Sequence, residues 1–77
     1  GQIPVIDAYG YNPSRTLACF RSERVTYLLD TDSRTCKPVW HSRELRPTID
    51  TITYDSKRKS FVLWRKGQIE LWIGAQE

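Results

Sequence analysis

Two cysteines, one histidine and two clusters of cations are the groups in this chain whose types and spacing could do chemistry. Cys19 and Cys36 lie far apart, no CxxC occurs, and His41 is the single imidazole. A tetrahedral zinc site takes four ligands at short spacings, so these residues imply no metal. A Cys–His nucleophile pair would lack a third group to orient the base. Asp30 and Asp32 could resemble an acid–base pair. Turn chemistry explains them better, because an Asp oxygen accepts from backbone N–H groups just ahead of it. There is no GxSxG, no HExxH and no phosphate-cradling glycine loop among only four glycines. The expectation is no catalytic residue, no cofactor and no enzyme.

The better use for Cys19 and Cys36 is a disulfide, the alternative being two buried free thiols. In a domain this small, closing such a loop adds roughly 3 kcal/mol. A bond would place the protein in the periplasm or outside the cell, and reduced cysteines would leave it cytoplasmic. Geometry limits the pairing. On strands flanking residues 24–29 in one flat sheet, the cysteines would stand about 9–10 Å apart. A disulfide tolerates only about 4.4–6.8 Å between Cα atoms. A bonded pair therefore needs a sheet that folds back, or one cysteine in a loop.

Lys57, Arg58 and Lys59 form one basic cluster, and Arg65 with Lys66 forms a second. Tyr54, Phe61, Trp64 and Trp72 lie around them. Trp, Tyr and Arg are frequent anchors of protein interfaces, which makes Tyr54, Trp64, Arg65, Lys66 and Trp72 the expected partner-binding residues. Aromatic faces beside a basic groove also suit nucleic acid, through Lys57, Arg58, Lys59, Arg65 and Lys66. The net charge is only +3, and Asp50, Asp55 and Glu70 are interleaved with the cations. A protein partner is therefore the first reading and nucleic acid the alternative.

These side chains need a scaffold. The 77 residues allow at most one domain. Three tryptophans, four tyrosines and two phenylalanines exclude a disordered tail. No apolar run approaches the roughly 20 residues that span a bilayer, and no basic-then-apolar export signal opens the chain. Pro4, Gly10, Asn12 and Pro13 make residues 1–15 an arm or tether, with 9–13 as loop and only Ile3, Val5 and Ile6 as strand formers. Residues 16–77 form the single β domain. Its strands are expected at 17–20, 24–29, 35–40, 48–54, 61–65 and 68–73. Pro38 argues for an edge position, and residues 42–46 could make one helical turn.

Ile52 and Tyr54 share a face, and Lys66-Gly67 is a two-residue hairpin turn. That turn pairs Trp64 with Ile69 and Val62 with Leu71 on one face with Ile73. Phe61, Leu63, Glu70 and Trp72 then fall on the other. A faint echo links Val25-Thr-Tyr, Asp32-Ser-Arg and Val39-Trp40 to Ile52-Thr-Tyr, Asp55-Ser-Lys and Leu63-Trp64. The fold class is all-β: a small antiparallel barrel or curled sheet of five to six short strands.

The order Ala18-Cys-Phe, Arg24-Val-Thr-Tyr, Tyr54 and Trp64-Arg-Lys-Gly67 with Leu71 resembles the membrane-bound and periplasmic inhibitors of C-type lysozyme. The family's Ser-x-x-Gly-x-Arg-Tyr box is replaced here by Thr48-Ile-Asp-Thr-Ile-Thr-Tyr. The resemblance implies an inhibitor that inserts Lys66, on a rigid turn, between the carboxylates of an enzyme cleft. The segments Pro38-Val-Trp, Leu63-Trp-Arg-Lys-Gly and 69–73 also resemble the SH3-like barrels that end retroviral integrases, which supports the nucleic-acid alternative.

Overall fold

The computed structural model describes residues 5–41 and 49–74. Among the described residues there are seven strands, β1 (Ala8–Tyr11), β2 (Leu17–Ser22), β3 (Val25–Asp30), β4 (Thr35–His41), β5 (Thr51–Asp55), β6 (Ser60–Arg65) and β7 (Gln68–Gly74). They make two antiparallel meanders, β1-β2-β3-β4 and β5-β6-β7, and no closed barrel. The fold is all-β as expected, in two sheets rather than one curled sheet. The expected helical turn at 42–46 lies outside the described residues.

Local turn chemistry sets the hairpins. Asp30 Oδ1 accepts from the N–H groups of Asp32 and Ser33 at 2.9 and 3.2 Å. Asp55 Oδ1 does the same for Lys57 and Arg58 at 2.9 and 3.3 Å. Lys66 and Gly67 both take positive φ, 53° and 77°, as a primed hairpin turn requires. Among the described residues β4 pairs only with β3, which puts Pro38 on an edge there.

Residues 9–11, read above as loop, belong to β1. The Asn12-Pro13 signal is a hairpin turn instead of an arm. Leu17 N–H donates to Asn12 Oδ1 at 3.0 Å and Asn12 N–H donates to the Leu17 carbonyl at 3.1 Å, which closes β1 onto β2.

The sheets pack face to face around Ala8, Cys19, Ile49, Ile52, Phe61, Leu63 and Ile73. Leu17, Leu28, Trp40, Tyr54 and Leu71 pack against that cluster. Gly10 marks the closest approach, because a Cβ built there would stand 2.5 Å from the Ile52 carbonyl oxygen. Only a residue without a side chain lets β1 reach β5.

The disulfide is not formed: Cys19 is a buried free thiol and Cys36 an exposed one. The strands bearing them do flank β3, where Cys19 pairs with Leu28 and Cys36 with Leu29. Adjacent residues of a strand face opposite ways, so the two sulfurs lie on opposite sides of the sheet. With the bond goes the argument for an oxidising compartment.

The expected β6–β7 register holds for Trp64 with Ile69 and then fails. A bulge between Leu63 and Trp64 of β6, opposite Glu70, pairs Leu63 with Leu71 and Val62 with Trp72. One extra residue reverses every later side chain. Leu71 and Ile73 therefore join Phe61 and Leu63 in the core, and Trp72 joins Val62 and Trp64 outside.

The two sheets are also repeats. Ile6-Asp7, Tyr11 and Arg15 recur 43 positions later as Ile49-Asp50, Tyr54 and Arg58. Asp7 N–H donates to the Arg21 carbonyl and Asp50 N–H to the Trp64 carbonyl, both at 2.8 Å and at that same spacing. Glu23-Arg24, at φ 51° and 73°, matches Lys66-Gly67. The echo noted above thus has a different offset from the repeat that the backbone follows.

Candidate functional site

Each sheet turns one face to the core and one outward, and both outer faces carry aromatics. Strand alternation puts Tyr9, Phe20, Tyr27 and Pro38 in one cross-strand row of the first sheet. Tyr11, Ala18, Leu29 and Cys36 form the next row on the same side. Tyr9 and Tyr11 are 62% and 51% exposed, far more than aromatic rings with a core to fill. Phe20 and Tyr27 stack with centroids 5.1 Å apart and planes 17° apart. The Arg15 guanidinium lies 5.3 Å from the centre of the Tyr11 ring. This tyrosine face is nearly free of charge.

The outer face of the second sheet bears Thr53, Val62, Trp64, Ile69 and Trp72. Trp64 Nε1–H donates to Thr53 Oγ1 at 2.8 Å, which ties its indole to the neighbouring strand. Trp72 is 41% exposed, with the Arg58 guanidinium 5.0 Å above its ring. Arg58 is held there by Asp55, 2.9 Å from its Nη1. That contact draws the Asp55 carboxyl below its usual range.

Of the expected partner-binding residues, the structure brings Trp64 and Trp72 onto one face. Tyr54 lies on the opposite side of the sheet, edge-on to Phe61 at 5.0 Å and 65°. Arg65 faces Glu70 at 4.0 Å. Lys66 is exposed on its turn, where its backbone N–H donates to Asp50 Oδ2 at 2.7 Å. Lys57, Arg58 and Lys59 occupy the turn at the other end of β6, about 17 Å along a six-residue strand. The two basic clusters are therefore separate, with the tryptophans between them.

Buried groups offer little for chemistry. Burial pushes the Cys19 thiol up to about 12, which leaves it protonated and unreactive at neutral pH. Burial lowers Arg21, and the charge of Asp7 opposes that shift. Its guanidinium lies 5.9 Å from the Trp40 ring centre on the core side. A cleft of about 340 Å³ opens beside β1 and β5, lined by Ile6, Asp7, Ala8, Tyr9, Asp50 and Thr51.

The tyrosine face escapes a reading of the sequence because β1 is hidden by its turn residues. The recurrence of Ile-Asp and Tyr at one spacing is the signal that could have found it. No family model matches the chain, and no curated protein matches it.

Proposed function

We propose that the protein is a non-enzymatic module that binds another protein through its exposed aromatic sheet faces. The supporting observation is the tyrosine face, where Tyr9 and Tyr11 stand more than half exposed beside the Phe20–Tyr27 stack. Rigid aromatic surface that is already ordered loses little entropy on contact, and a neutral patch of it favours a protein partner over phosphate. The tryptophan face extends this surface on the far side of the molecule. Trp72 and Arg58 would anchor contacts there, with Lys66 at its rim.

The inhibitor resemblance gives this reading a narrower form. Lys66 sits on a turn stiffened by Asp50, as an inserting ammonium would need. A nucleic-acid reading draws on Lys57, Lys59 and Lys66, which flank the tryptophans. Arg58 and Arg65 weaken it, because each already faces a carboxylate.

Two measurements test the proposal. Titration with single-stranded oligonucleotides at two salt concentrations should show no salt-dependent binding; a steep slope would favour phosphate contacts instead. Affinity capture from the native source should recover a protein with the wild-type chain and lose it with Tyr9→Glu or Trp72→Glu. Capture unchanged by both substitutions would overturn the proposal.

A further inference from the structure

We propose that the tyrosine face of one molecule docks onto the tryptophan face of a second copy, continuing the sheet-on-sheet contact already present inside the chain. This rests on the protein-binding reading and names the partner. The argument is positional. When the hairpins β2–β3 and β6–β7 are superposed turn on turn, Ala18 and Phe20 coincide with Phe61 and Leu63, and Cys19 coincides with Val62. Equivalent positions in the two sheets thus face opposite ways. Where the second sheet turns apolar side chains to the core, the first turns Tyr9, Tyr11, Phe20, Tyr27 and Leu29 outward, with Tyr9 and Tyr11 more than half exposed.

The match extends across the face. Tyr9, Tyr11, Ala18, Phe20, Tyr27 and Leu29 occupy the ladder positions of Ile52, Tyr54, Phe61, Leu63, Leu71 and Ile73. All six of the latter pack in the core, and all six of the former are apolar or aromatic. The tryptophan face in turn occupies the positions by which the first sheet covers the second. Val62, Trp64 and Ile69 stand where Cys19, Arg21 and Thr26 stand. The outer faces are two halves of the contact the molecule has already made once between its own sheets.

Repeat architecture explains why this matters. A period of about 40–45 residues built from antiparallel meanders is that of stacked blades, each burying its faces against the next. Arrays end stably only where a terminal unit turns a polar face to water. Both outer faces here carry aromatic rings, Tyr9, Tyr11, Phe20 and Tyr27 on one and Trp64 and Trp72 on the other. Because the two faces differ, the contact is head-to-tail and each copy offers both halves. One position departs from the internal template: Thr53 stands where Gly10 allows β1 to touch β5, so the strands of two copies meet less closely there.

Sedimentation velocity from low micromolar to near-millimolar concentration tests this, using the full chain. Wild type should grow in mass with concentration. Tyr9→Glu, lacking one half, and Trp72→Glu, lacking the other, should each stay monomeric at every concentration. Mixed together, they should give a one-to-one dimer that grows no further, since one intact half of each kind remains. Far-UV circular dichroism establishes folding, and Tyr11→Glu and Ile69→Glu replace either variant that fails it. A wild type that stays monomeric overturns the proposal, as does a mixture that fails to pair. Self-association that survives in one variant alone also overturns it, by showing a face that pairs with itself. Loss of protein capture by Trp72→Glu with a monomeric wild type would leave the binding-module reading standing without this one.

Discussion

Phe20 and Leu63 hold the same place in two copies of one hairpin, yet Leu63 is fully buried and Phe20 is only partly so. Local sequence does not decide this, since both are large, apolar and followed by an alternating strand. The neighbour decides it: Leu63 has the first sheet above it, and among the described residues no second sheet covers Phe20. A sheet face that alternates correctly is only a candidate core face until another layer covers it.

Substitutions at matched positions should measure that difference. Leu63→Ala should cost about 2–5 kcal/mol in denaturant unfolding, as a buried leucine does. Phe20→Ala in dilute solution should cost no more than about 1 kcal/mol, so equal losses would erase the distinction between the faces.

Gly10 and Thr53 form a second matched pair. Gly10→Thr would place a Cβ 2.5 Å from the Ile52 carbonyl oxygen, and about 3 kcal/mol of destabilisation is expected. Thr53→Gly should cost about 1–2 kcal/mol, through backbone entropy and the lost hydrogen bond from Trp64 Nε1.

Cys19 sharpens the comparison through pH. Its folded-state thiol titrates near 12 against an ordinary value of 9.0, so the native protein holds this proton more tightly than the unfolded chain. The contribution is complete below about pH 9 and is lost as pH rises towards 12, at up to about 1.4 kcal/mol per pH unit. Alkaline melts of Cys19→Ala against wild type isolate it from the titration of lysines and tyrosines. An identical slope in the two would remove buried-thiol linkage from the account.

The smallest effect concerns the matched turns. Arg24 takes the left-handed φ that Gly67 takes at the equivalent place, 73° against 77°. Arg24→Gly should stabilise by about 1 kcal/mol, raising Tm by roughly 4–8 °C for a domain of this size. A lowered Tm would mean that the arginine side chain contributes more than its backbone strain costs.

The hairpin turns were legible in the sequence because their chemistry is local. Asp30, Asp55 and Lys66-Gly67 act on neighbours two or three residues away. Ile52 and Tyr54 on a shared face and Pro38 on an edge were readable from strand alternation and from the missing amide of proline. What could not be read was settled by packing across the sheets. β1 looks like loop because Gly10 is selected for contact with Ile52, a residue distant in sequence. The bulge at Glu70 has no local signature, and it moved Leu71, Ile73 and Trp72 to faces opposite those expected. The cysteine pair failed by parity, since positions joined through adjacent β3 residues cannot share a side. In the candidate site, Trp64 and Trp72 could be singled out by residue type, whereas the tyrosine face needed the repeat.

The bulge at Glu70 has one more consequence. β7 is the outermost strand of its sheet among the described residues, and the run Gln68-Ile-Glu-Leu-Trp-Ile73 contains no proline. A regular strand of that composition would offer foreign chains a straight ladder of amides on which to nucleate fibrils. The kink breaks the ladder, and a carboxylate sits at the break. Replacing Glu70 with valine would take away the carboxylate and leave the kink as the remaining safeguard against amyloid growth.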